Sequence, residues 1–352
     1  MRTCRRVDGV RRAFEQLFDI SPGYLNTASL GVPPAEVAEA VGAAVEQWRT
    51  GTARWDWFDT GVRTARESWA RLVGVDADDV AVGASVSQLT GLVAASVPDG
   101  TRVLTVRREF TSVTFPFAAQ ENRGLTVTEV GDRDLVSTVD GHDLVVVSVV
   151  QSADGAVADL DGLRAAAADA GARVLLDVTQ AAGWLPLRLG WADWVVGSGY
   201  KWLLSPRGAA WLATRPDALD RMVPHNANWY ASHDPTTSMY GLPLRLPARA
   251  RRLDASPVWF SQVGAAAVLP WLAGLDMEAV RRHCVGLADA VRTRLGMAPA
   301  GSAIVFLDTA SAADRLRAAG VTASARAGGV RLAFHLYNTL EDVDMVLAAL
   351  RD

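Results

Sequence analysis

The chain has 352 residues, 50% hydrophobic and 21% charged, with a formal net charge of −4. That length can bury one large domain and a smaller one. The slightly acidic balance, the lack of a basic stripe and the absence of a long apolar run exclude a polyanion-binding protein and a membrane-spanning one from first consideration.

In chain order, MRTCRRVDGVRRAFEQLF has no continuous apolar h-region and is not read as a secretory leader. A helix is expected around residues 8–18. PPAEVAEAVGAAVEQWR and TARESWARLVGV carry apolar residues at helical spacing, the first with proline near its start. Short β-branched runs follow at 79–83, 102–106, 142–150, 173–178, 193–198 and 208–214, with helical stretches such as DLDGLRAAAADAGA between several of them. Continuous apolar strands alternating with helices predict a mostly parallel sheet covered on both faces. Beyond about residue 255 come two helical patterns, the strands AIVFLD and GVRLAF, and a closing helix with Asn/Thr at its cap. The expected fold class is α/β. A helix over 1–20 packs on the small domain, a large domain spans 21–255, and 256–352 form a linking helix and a small α+β C-terminal domain.

Sites in such sheets lie at the carboxyl ends of strands. There, in GSGYKWLLSPRG, stands Lys201, the only lysine in the chain, against 34 arginines. Arginine replaces lysine in most surface roles. It does not supply a primary amine that loses its proton on desolvation and attacks a carbonyl. The preceding strand, RVLLDVTQ, ends at Asp177, which could cap a helix or aim a charge into a cleft. An amine and a carboxylate on neighbouring strand ends suit pyridoxal phosphate: the amine takes the aldehyde, and the carboxylate keeps the ring nitrogen protonated. GASVSQLTGLVAAS adds hydroxyls and a helix N-terminus for the phosphate.

The ordered set D-x-x-Q, S-x-[HY]-K and VRLAFHLYNTLEDVD resembles the class V aminotransferase family, from YLNTASLG to the C-terminus. That family includes cysteine desulfurases, kynureninase and isopenicillin N epimerase. The resemblance implies fold type I of the pyridoxal phosphate enzymes and the cofactor pyridoxal 5′-phosphate. It makes Lys201 the catalytic Schiff-base lysine, puts Asp177 on the pyridine nitrogen and Gln180 on the ring hydroxyl, and stacks Phe110 on the ring. Ser87, Ser198 and Tyr200 serve the phosphate, with the backbone of Val86 and Gln88 beside them. Ser152 lies near the ring hydroxyl, and Ser256 reaches the partner's phosphate in a homodimer. Arg331 clamps the substrate α-carboxylate, and Asn26 is a second substrate contact.

The implied activity acts at Cα or Cβ of an α-amino acid through an external aldimine, aminotransferase-like or C–S lyase-like. An amino-acid epimerase or racemase is the alternative, and a catalytically silent ligand-binding regulator is the alternative of another class. Cysteine desulfurases carry a nucleophilic cysteine just before the C-terminal arginine strand. TASARAGGVRLAF has none, so that reaction is not expected. Cys284 falls in an amphipathic helical pattern and reads as core, and Cys4 lies near the terminus. Two cysteines make no disulfide framework, which points to the cytoplasm. The five histidines show no metal-ligand spacing, so no metal is expected. Neither nucleic acid nor membrane is expected as a partner. The aromatic segments 48–59 and 226–246 are expected to line the substrate entrance or to pack the dimer interface.

Overall fold

The computed structural model describes residues 9–309 and 311–351. Cys4 lies outside them. In chain order the elements are β1 (Arg11–Ala13), β2 (Gln16–Phe18), α1 (Ala35–Thr50), α2 (Trp55–Val73), β3 (Val80–Gly83), α3 (Val86–Ser96), β4 (Arg102–Val106), α4 (Thr111–Ala118), β5 (Thr126–Val130), β6 (Leu144–Ser148) and α5 (Leu160–Ala170). They continue with β7 (Arg173–Asp177), β8 (Trp194–Ser198), β9 (Ala210–Thr214), α6 (Pro216–Leu219), α7 (Trp259–Gly274), α8 (Met277–Arg294), β10 (Ile304–Leu307), α9 (Ser311–Ala318), β11 (Ser324–Arg326), β12 (Gly329–Ala333) and α10 (Leu340–Leu350).

Seven strands form the central sheet in the order β3-β9-β8-β7-β6-β4-β5. The run from β8 to β5 is parallel, and β9 is antiparallel to both its neighbours, β8 and β3. The link from Ser198 to Ala210 is too short for a helical crossover, so the chain turns back on itself. Alternate residues of β6 enter two different cores, Val145 and Val147 on one face, Leu144 and Val146 on the other. Burial on both faces is why these strands read as unbroken apolar runs.

The expected helix at 8–18 is instead the hairpin of β1 and β2, with Ala13 paired to Gln16 across Phe14–Glu15. Both turn residues have positive φ, 47° and 69°. That is the conformation whose twist suits a two-residue hairpin. The hairpin lies against α10 through Arg11, which pairs with Glu341 and Asp342. The chain then runs beside the small antiparallel sheet β10-β12-β11, where Ala333 N–H donates to the Leu25 carbonyl at 2.9 Å. Asn26 and the segment before α1 thereby reach the C-terminal end of the central sheet. Gly31 seats against the lysine loop: its N–H donates to the Tyr200 carbonyl at 2.9 Å, and a Cβ there would lie 2.0 Å from the Lys201 carbonyl oxygen.

Candidate active site

A cavity opens at the carboxyl ends of β6, β7 and β8. Its walls carry Ser85, Val86, Ser87, Phe110, Ser152 and Asp177, together with Thr179, Gln180, Ser198, Tyr200, Lys201 and Arg207. Asp177 ends β7, Ser198 ends β8, and Lys201 follows at once, so strand pairing brings the amine and the carboxylate together. Lys201 Nζ lies 5.1 Å from the centre of the Phe110 ring and 5.6 Å from that of Tyr200.

Lys201 and Asp177 are both buried. Burial pulls Lys201 down to about 8; Asp177 opposes the shift, and Arg331, Arg326 and Arg207 add to it. Burial pushes Asp177 up to about 6, against the hydrogen bonds of Thr179 and the charge of Lys201. Thr179 N–H donates to Asp177 Oδ1 at 2.7 Å, and its hydroxyl accepts from Ser198 N–H at 3.2 Å, so one residue ties both strand ends.

At the opposite end of the cavity, α3 presents its first turn. Ser85 caps the helix by accepting from Gln88 N–H. This leaves the N–H groups of Val86 and Ser87 without intrahelical partners, an anion site by geometry and dipole. Gln88 hydrogen-bonds within this turn. Its N–H is taken by the cap and its side-chain oxygen accepts from Ala84 N–H, so it does not line the cavity. Arg207 stands at this end, 5.2 Å from the centre of the Tyr200 ring.

Gln180 donates to the Ala28 carbonyl and to Ser152 Oγ, and accepts from Trp202 Nε1 at 2.7 Å. Ser152 passes the network to Arg331, whose Nη1 donates to Ser152 Oγ at 2.9 Å and whose Nη2 donates to Ser29 Oγ at 2.9 Å. Arg331 is 1% exposed, faces only hydroxyls and a carbonyl, and its Nε has no partner. Burial, with Arg326 nearby, pulls it down to about 10. A buried guanidinium is ordinarily matched by an anion. Asn26, Ser256 and Arg331 do not line the cavity, and Arg331 borders it through Ser152. Asn26 Oδ1 is buried without a partner, and Ser256 is exposed just before α7.

Sequence reasoning missed Thr179, Arg207 and Glu109. Glu109 is buried and accepts from Phe110 N–H, Ser148 N–H, Ser148 Oγ and Gln151 Nε2, at 2.6 to 2.9 Å. It fixes the backbone that carries the Phe110 ring. The signal for it was a carboxylate at the carboxyl end of β4; Arg207 was one arginine among many.

The fit to pyridoxal phosphate is chemical: an amine, a carboxylate set apart from it, a flat ring, and an anion cradle with one cation. The family model for class V aminotransferases matches residues 47–316. The uncharacterized aminotransferase YcbU of Bacillus subtilis (strain 168) is 25% identical over 94% of each chain. A kynureninase of Deinococcus radiodurans is 30% identical over 77% of this chain and 71% of that protein. Among solved structures, the apo cysteine desulfurase of Thermococcus onnurineus NA1 superposes with a TM-score of 0.81 over 94% of each chain, at 20% identity. At that identity the likeness is one of fold.

Proposed function

The chain belongs to the class V aminotransferase family of fold-type I pyridoxal phosphate enzymes, and from that premise we propose that it removes the Cα proton of an α-amino acid and carries the reaction on to transamination or β-elimination. The observation that carries this reading is the pairing of a depressed lysine with a raised aspartate on adjacent strand ends, beside a buried arginine that lacks an anion.

Pyridoxal phosphate, when bound, supplies an electron sink for the bonds at Cα. The residues do the rest. Lys201 Nζ would hold the cofactor's aldehyde, and its amine would serve as the base for the Cα proton. Asp177 would hold a proton at the ring nitrogen, with Thr179 N–H fixing the carboxylate's orientation. Phe110 would stack on the ring, and Gln180 and Ser152 would serve the ring hydroxyl. Ser87, Ser198, Tyr200 and the backbone of Val86 would cradle the phosphate, and Arg207 would supply its counter-charge. Arg331 would take the α-carboxylate as a two-pronged donor.

Inversion at Cα demands a second proton donor. Of the two rings nearest the amine, Phe110 has no proton to give and Tyr200 has one, so the measured product decides between transamination or elimination and epimerisation. A persulfide route is disfavoured: the β11–β12 hairpin has no cysteine, and Cys284 is buried, with its thiol pushed up by burial. The same reading includes a homodimer in the cytoplasm. Exposed aromatic residues at 48–57 support the first, and a buried free thiol suits the second.

The protein with its cofactor is expected to be yellow, and Lys201→Ala to lose that absorbance. Incubation with α-amino acids in deuterated water should then yield a keto acid or pyruvate. Inverted Cα without keto acid would replace this reading with epimerisation. A yellow protein that exchanges no Cα proton would point to a ligand-binding regulator. A protein that takes up no pyridoxal phosphate would overturn the reading altogether.

A further inference from the structure

The β11–β12 hairpin stands beside the substrate end of the site. Arg326 pairs with Gly329 across the two-residue turn Ala327–Gly328, whose φ values are 51° and 89°. So tight a turn leaves no loop there to swing. Ser324 pairs with Arg331, and its hydroxyl lies 3.4 Å from Arg331 Nη2 and 3.3 Å from Ser29 Oγ. Side chains two apart along a strand share a face. Arg326 therefore projects from the face that Ser324 turns toward Arg331.

Arg326 is exposed and has no ion-pair partner among the described residues. Its positive charge reaches the site, where it disfavours the charged forms of Lys201 and Arg331. Neither nearby carboxylate can answer it. Asp177 is committed to the ring-nitrogen end, and Glu109 is saturated by four donors. Under the proposed function Arg207 takes the phosphate and Arg331 the α-carboxylate, which leaves Arg326 without an anion.

We infer that Arg326 receives an acid group on the substrate's side chain, so that the preferred substrates are α-amino acids of the aspartate or glutamate type. This rests on the amino-acid reading above. A guanidinium matches a carboxylate with two parallel hydrogen bonds, and it gains nothing comparable from a carboxamide. A cationic side chain at the same place meets like charge.

The test compares acids with their amides on the holoenzyme, reading the change in cofactor absorbance on titration. Aspartate and glutamate should bind at least about tenfold more tightly than asparagine and glutamine, the scale of one charge-assisted hydrogen bond. Arg326→Gln should close that gap, and Arg326→Lys should keep part of it. Amides that bind as tightly as acids to the unmodified enzyme would overturn the inference, as would a gap that survives Arg326→Gln. In either case alanine would still perturb the absorbance, and the amino-acid reading would stand. Silence toward every amino acid would overturn both.

Discussion

Lys201 and Asp177 are each buried at a cost, and the two costs depend on pH in opposite senses. Lys201 is pulled from 10.5 to about 8, so its destabilising effect is fully present below pH 8 and fades as the pH rises to the free value. Asp177 is pushed from 3.8 to about 6; its cost is absent at low pH and fully present above 6. Between 6 and 8 both charges sit buried in the cofactor-free protein. Lys201→Met should then stabilise that form at pH 7 by roughly 1–3 kcal/mol, since a tenfold change in a protonation equilibrium is worth about 1.4 kcal/mol and Asp177 loses its partner. Thermal unfolding across pH reads the effect, and the gain should shrink above pH 8. A variant less stable than its parent at pH 7 would show that the lysine is held by packing rather than strained by burial. At this scale the sequence was most legible, because imine chemistry admits few residue types. Arg207 was invisible for the opposite reason: nothing in its type separates it from the chain's other arginines.

Among the elements, legibility followed burial. The central strands β4, β6, β7 and β8 each carry a buried, mostly apolar run and could be read directly. The edge strand β5 has no buried position, only exposed and half-buried ones, and gave no comparable run. The N-terminal hairpin was misread because its turn, Phe14–Glu15, lacks the Asn-Gly signal that marks such turns. Nor could periodicity reveal the pair that fastens α2 to β3. Arg66 Nη2 donates to Asp254 Oδ2 at 2.7 Å, both residues buried, and Asp254 Oδ1 also accepts from Val82 N–H at 2.9 Å. The partners are 188 positions apart. Asp254→Ala strands a guanidinium and a backbone donor together and should cost about 3–5 kcal/mol, the usual penalty for breaking a buried pair from one side. Replacing both charges with apolar residues of similar volume should recover most of it. Denaturant unfolding measures both. A loss below about 1 kcal/mol for Asp254→Ala would mean that water reaches Arg66.

The whole molecule brings the pair, the aromatic segment and an expected cofactor contact outside the cavity into one place. Asp254 anchors the segment that enters α7, and Ala255 N–H donates to the Val82 carbonyl at 2.9 Å, so exposed Ser256 leaves the surface from a fixed base. Beside it lies an aromatic face built from the ends of α1, α2 and α7. Phe58 stacks on Trp259 at 4.8 Å, Trp48 packs edge-on against Phe260 at 6.0 Å, and Trp57 packs edge-on against Phe58 at 5.0 Å. Trp48 is nevertheless 65% exposed, and Trp55 and Trp57 are nearly half exposed. Large aromatic side chains gathered around a partly buried centre are what an interface core uses. If two copies meet here, exposed Ser256, three residues before Trp259, is the candidate for a contact across the junction. Trp48→Arg should then weaken self-association and cofactor retention together, and higher protein concentration should restore both. Ser256→Ala should weaken cofactor retention alone. Sedimentation velocity and cofactor absorbance on the same samples separate the cases. Association untouched by Trp48→Arg would remove this face as the interface, and a dissociated variant that keeps all its cofactor would remove Ser256 from the phosphate.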